Sequence, residues 1–177
     1  MSRRQLAIWA LVAATLAIYL AMVLWSLQRI APAAGGETPF DLRPLGYDFE
    51  AARAFLAALP ASEVRFYLDV QQRPDAAFPV LLAVTLMAGL MRLTEGWPPR
   101  AQVILMLVPA LGALFDFMKN TAVRRMLHAG AEGLTVDLVT RANSWTALKS
   151  AADAVAVTAL VLLLVWRGWQ RWRKGGS

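Results

Sequence analysis

The sequence predicts an all-α fold: a polytopic four-helix transmembrane bundle with short amphipathic helices in the first extracytoplasmic loop. Three observations predict it. Of 177 residues, 58% are hydrophobic and only 17% are charged. The apolar residues gather in four blocks, each long enough as a helix, at about 1.5 Å per residue, to cross hydrocarbon about 30 Å thick. The sizeable polar stretch lies between the first two blocks rather than being spread along the chain. The spans run over about 6–28, 75–93, 101–120 and 145–167, inside a single domain of 1–177, with a cap over about 40–73.

Span one follows Arg3 and Arg4 and runs from Leu6 to Leu27. It is longer than the apolar core of a signal peptide, about 7–15 residues, so it reads as an uncleaved anchor despite the small residues Ala31-Pro32-Ala33 beyond it. Ala13, Ala17 and Ala21 form a small-residue stripe at four-residue spacing, which would let another helix approach closely. The segment from Ala31 to Gly46 is rich in Pro and Gly and reads as loop. Asp48 then caps a short helix that Pro60 stops. Ser62 and Glu63 open a second short helix, on which Val64, Tyr67, Leu68 and Gln71 share a side. Both helices are expected to lie on the membrane or to cap the bundle.

Span two opens at Pro74 and Asp75, residues suited to a helix start. Pro79 has no N–H, so the carbonyl of Asp75 loses its partner one turn on. A tight turn with Pro98-Pro99 leads to span three, where Pro109 frees the carbonyl of Leu105 in the same way. Gly112 and Ala113 lie on the face that continues to Asp116, which argues that this face meets other helices. Residues 129–134 form a turn, and the fourth helix comes next, polar at first and apolar from Ala154 to Trp166. Trp166, Trp169 and Trp172 with Arg167, Arg171, Arg173 and Lys174 make an interfacial anchor.

Four spans put both termini on one side. The basic residues at both ends argue that this side is the cytoplasm. Residues 30–77 carry seven acidic and four basic side chains, which fits the outside. Arg124, Arg125 and Arg141, between spans three and four, run against that orientation.

Composition also excludes chemistry. There is no cysteine, so thiolate metal sites, disulfides and cysteine nucleophiles are absent. The net charge of +6 comes from dispersed basic residues without a binding motif, so no nucleic-acid partner is expected. His128 has no partner at metal-ligand spacing, and the aspartates lack a cation-binding loop signature. Asp116 lacks the Gly-x-Gly-Asp context of an intramembrane aspartyl protease, and Ser144 or Ser150 with Lys149 makes only a weak dyad. No cofactor or metal is expected.

What remains is a set of ionisable residues at membrane depth, where such groups are costly. Asp116, Lys119 and Asn120 share one helix face, and so do Thr146, Lys149 and Asp153. Counting inward from the cytoplasmic face places Asp153 about 20 Å deep, Asp116 about 22 Å, Lys149 about 25 Å and Asp75 about 27 Å. Antiparallel packing would bring them to one level, with Lys149 pairing across helices with Asp116 in preference to Asp153, the weaker arrangement along one helix.

Tyr67, the run Asp75-x-x-Phe78-Pro79, Pro109 followed by Asp116-x-x-x-Asn120, and Thr146-x-x-Lys149 resemble a family of bacterial four-span integral membrane proteins of unassigned activity. In that family a Glu often precedes the Asn, where this chain has Lys119. A weaker similarity is to the emopamil-binding, sterol-isomerase-like four-helix proteins; it implies an apolar ligand and carries over no residue. The resemblance and the depth count together give the candidate ligand-binding set Tyr67, Asp75, Asp116, Asn120, Thr146, Lys149 and Asp153. They also imply the bacterial inner membrane, with both termini cytoplasmic. The expected function is structural, or the binding of an apolar or amphiphilic ligand in an outer-leaflet polar pocket. The alternatives are an enzyme acting on a lipid or isoprenoid, with Asp75, Asp116 and Lys149 as acid–base groups, and a small transporter or transporter subunit. No inverted repeat supports the transporter. The expected partners are membrane lipid, an apolar small molecule, and a helix meeting the Ala13, Ala17, Ala21 stripe.

Overall fold

The computed structural model describes residues 2–175, with side chains to Arg173; the Lys174 side chain of the C-terminal anchor lies outside the described residues. The described residues form an all-α fold with four helices long and apolar enough to cross a membrane. These are α1 (Arg3–Ala33), α3 (Ala61–Leu93), α4 (Pro99–Gly133) and α5 (Val136–Gly175); the short α2 (Phe49–Ala58) lies between α1 and α3.

Several helices start at a residue suited to a helix N-terminus. Ser2 and Gln5 form a reciprocal capping box on α1. Asp48 Oδ1 accepts from the Ala51 amide at 2.8 Å to open α2. Pro99 takes the first turn of α4, where its missing N–H costs nothing. Gly130, at φ 64°, breaks the end of α4 and lets the chain turn towards α5.

All four long helices extend beyond the hydropathy blocks, and in two of them the extension includes a π turn. The second short helix expected around Ser62 is not separate: it runs on into span two as one helix, Ala61–Leu93. Pro74 does not stop it. The carbonyl that loses its partner to Pro74 belongs to Val70, inside a π-helical turn at Tyr67–Gln71, where hydrogen bonding is already shifted by one residue. The α1 helix contains a matching π turn at Met22–Ser26 and continues to Ala33. The two π turns meet: the buried Ser26 hydroxyl donates to Gln71 Oε1. Arg29 pairs bidentately with Glu63 at 2.8 and 2.9 Å and stacks over Phe66 at 4.0 Å.

Among the described residues, the main buried core sits at the cap end of the bundle, not halfway along the spans. The loop from Ala34 to Asp48 folds back over the helix ends, and Phe40 is its anchor. Its ring packs against Tyr47 at 4.9 Å and edge-on against Phe55 at 4.8 Å. Phe55 in turn meets Tyr67 edge-on at 6.3 Å. Ala52, Phe55 and Leu56 of α2 share this core with Val123, Met126 and Leu127 of α4 and with Val139 and Ala142 of α5. The segment therefore caps the bundle and borrows its core from the helix ends. Gly46, at φ 94°, is held against α5: Asn143 Oδ1 lies where a Cβ would project and accepts from the Tyr47 amide at 3.1 Å.

Along the spans the large apolar side chains point outwards; Leu16, Ile104, Leu107, Leu111, Val155 and Leu162 are all exposed. An apolar belt of this kind is matched to lipid rather than water. Ala13, Ala17 and Ala21 also face outwards. The α1 contact with α3 is made instead by Thr15, whose hydroxyl meets that of Thr85 at 2.8 Å. At the opposite end from the cap, Arg167 closes the bundle by donating to the Leu93 carbonyl at 3.0 Å and the Glu95 carbonyl at 3.2 Å.

Candidate functional site

The site arises from the need to satisfy each polar group that the spans carry inwards. Pro79 leaves the Asp75 carbonyl without its helical partner, and Asn120 Nδ2 on α4 donates to it at 2.9 Å. The consequence of a single proline thus fixes how α3 and α4 are aligned.

One turn from Asn120, Asp116 is buried and holds two cations. Lys149 Nζ lies 3.1 Å from its Oδ2, and Lys119 Nζ lies 3.3 Å from its Oδ1. Lys149 stands 3.9 Å from Asp153, so the interhelical pair is the closer one, as the helix geometry predicts. Gly112 makes room for this: a Cβ there would lie 2.6 Å from Asp153 Oδ1. Asp75, Asp116, Lys149 and Asp153 do lie at one level.

The centre of the layer, however, is Lys119. Its ammonium lies 2.6 Å from Asp41, 3.3 Å from Asp116 and 3.8 Å from Asp75. Asp41 comes from the cap, in a short 3-10 turn over Phe40–Leu42. Its second oxygen accepts from the Tyr67 hydroxyl at 2.8 Å. Burial alone would raise the Asp41 carboxyl, but the Lys119 charge and the hydrogen bonds from Lys119 and Tyr67 outweigh it and hold it below the ordinary carboxylate range. The sequence reading placed Asp41 in a loop and left it and Lys119 out of the candidate set. The signal was present: the Pro- and Gly-rich loop carries Phe40, Leu42 and Tyr47, more large apolar residues than a solvated loop needs.

Of the seven candidates, six join this layer. Tyr67, Asp75, Asp116, Asn120, Lys149 and Asp153 are linked by these contacts. Thr146 is buried, but its hydroxyl turns back to the Ala142 carbonyl of its own helix at 2.9 Å. Four carboxylates face two ammonium groups, so the layer, fully ionised, holds more negative charge than positive.

Beside the layer is a cavity of about 300 Å³. It is lined by the charged residues Asp41, Asp75, Lys119 and Lys149 together with apolar side chains that include Met22, Leu27, Leu42 and Phe78. A second space of about 220 Å³ runs along the α1–α3 contact between Val12, Leu16, Leu82 and Thr85. The two share Tyr19 and Phe78, whose ring centroids are 5.7 Å apart. No group of carboxylates or histidine suited to holding a metal ion occurs among the described residues. The chain matches no protein-family model, no curated protein and no solved structure.

Proposed function

We propose that this protein binds an amphiphilic molecule in the outer half of the bacterial inner membrane, with both of its own termini in the cytoplasm. The observation that carries the proposal is the pair of adjoining spaces that share Tyr19 and Phe78: one lined by both charged and apolar side chains, the other a groove between α1 and α3 with an apolar surface. A head group belongs in the first and an alkyl chain in the second, because pockets of this type fix a ligand by a few polar contacts and retain it by apolar burial. Six of the seven residues proposed from sequence supply the polar layer beside the first space.

The test is the set of lipids and other amphiphiles retained through purification in mild detergent, measured by mass spectrometry. The unaltered protein is expected to retain a bound amphiphile in fixed proportion. Leu82→Trp, which fills the groove from a half-buried position without entering the polar layer, is expected to lose it while remaining folded. Retention of the same molecule in the same proportion by Leu82→Trp would overturn the groove as the binding site.

A further inference from the structure

The proposed ligand's head group can be assigned a chemical class, an assignment that rests on the amphiphile-binding function proposed for the same site. The two lysines that line the cavity are already occupied. Lys119 Nζ is held by Asp41 at 2.6 Å and lies 3.3 Å from Asp116, and Lys149 Nζ lies 3.1 Å from Asp116. Asp75 is different. It is only 4% exposed and lines the cavity, yet its carboxylate makes no hydrogen bond among the described residues; its nearest cation, Lys119, stands 3.8 Å away. A buried carboxylate accepts several hydrogen bonds when it can, and leaving it without one is costly. Tyr19 and Phe78 line the same cavity, and aromatic faces attract cations. An anionic head would meet a wall whose positive charge is already neutralised and whose remaining carboxylate repels it.

We propose that the cavity binds a protonated primary amine, donating to the free carboxylate of Asp75, with its alkyl chain passing Tyr19 and Phe78 into the α1–α3 groove. A bound positive charge would offset the excess of carboxylates that the layer holds when fully ionised. Hydrogen-bond donors are needed to satisfy Asp75, and a primary ammonium supplies both in one group. The groove lies next to Tyr19 and Phe78 and extends along α1 to Val12 and along α3 to Thr85, a distance of about 10 Å on each helix.

The experiment compares three probes with one tail and different heads, dodecylamine, dodecyl phosphate and dodecanol, binding to the full-length protein in non-ionic detergent, by native mass spectrometry. Dodecylamine is expected to bind at least about tenfold more tightly than either of the others, and Asp75→Asn to remove that preference. Equal or tighter binding of the phosphate or the alcohol would overturn the head-group assignment while leaving amphiphile binding in place. Failure of all three to bind would overturn both. An unchanged preference in Asp75→Asn would also overturn the assignment, and if that variant does not fold, the ranking on the unaltered protein decides alone. A free alkylamine and the amine head of phosphatidylethanolamine share this chemistry. Nanodiscs of phosphatidylglycerol, with and without phosphatidylethanolamine, separate them. Competition by the phospholipid identifies a lipid head, and its absence a free amine; both results uphold the assignment.

Discussion

Asn120 and Pro79 show how one residue's deficit becomes another's role. The Asn120 amide is needed only because Pro79 cannot donate to the Asp75 carbonyl. Asn120→Leu leaves that carbonyl without a partner and is expected to cost about 1–3 kcal/mol. In a Pro79→Ala background the helix supplies its own N–H, so the same substitution should cost much less. Unfolding of the four variants in detergent measures this, and additive effects would show that the pairing is not what Asn120 is there for. Asp41 gives a second expectation. Its carboxyl is held below the ordinary value, so the stability it contributes is complete well above a pKa of about 4 and is lost as pH falls through its lower folded-state value. Thermal unfolding should therefore show a loss of stability on the acid side that Asp41→Asn abolishes; an equal loss in that variant would assign the effect to other carboxylates. At this scale the sequence was informative wherever a group's needs are local. The freed carbonyl beside Pro79 could be read from the chain. That Lys119 would select Asp41 could not, because the partner lies 78 residues away in a segment without helical periodicity.

Among the elements, the two π turns set the registers that matter. Each inserts one extra residue into a helix, which rotates the helical segment before it relative to the segment after it. In α3 the turn keeps Tyr67 directed at Asp41 while Asp75 lines the cavity, and it leaves Glu63 and Phe66 facing Arg29. Deleting the exposed Asp69 would restore regular α-helix and turn Ala61–Phe66 by about 100° against α1. The expected result is loss of the Arg29–Glu63 pair and release of the cap, visible as rapid trypsin cleavage after Arg53, which Ala54 follows. A cap as resistant as in the intact chain would show that the turn is not what holds it. The spans were legible because lipid demands unbroken apolar runs and each run leaves a clear trace. The fusion of the Ser62 helix to span two was not legible. A proline in the sequence signals a break, and only the π turn before Pro74 removes the need for one.

For the whole molecule, the buried core at the cap end and the outward apolar belt divide the chain into a docked cap end and an apolar shaft of membrane-spanning length. The arginines that oppose the charge rule sit at the docked end and are partly compensated there. Arg141 pairs with Asp137 at 2.9 Å, and Arg124 donates to Gln72 at 3.3 Å. If the termini are cytoplasmic, as proposed, reporters fused to either end should be active only in the cytoplasmic form, and one inserted at Gly35–Gly36 only in the exported form. The opposite pattern would invert the topology and place the cavity in the inner leaflet. The four-helix architecture and the common level of the ionisable residues could be obtained by counting along the chain, because rise per residue is fixed. The cavity itself could not, since its walls come from five separate stretches: α1, the cap loop, α3, α4 and α5.

The Asp41–Lys119 contact also imposes an order on biogenesis. The chain emerges from its N-terminus, so Asp41 is made 78 residues before Lys119. Until α4 arrives, Asp41 has no ammonium to meet and Phe40 lacks Val123 and Met126 in the core they share. Docking of the cap is therefore a late event that requires the third span to be in place. A chain that stalls earlier would carry Phe40 and Asp41 in an open loop, with neither the core nor the ion pair that holds them in the complete molecule.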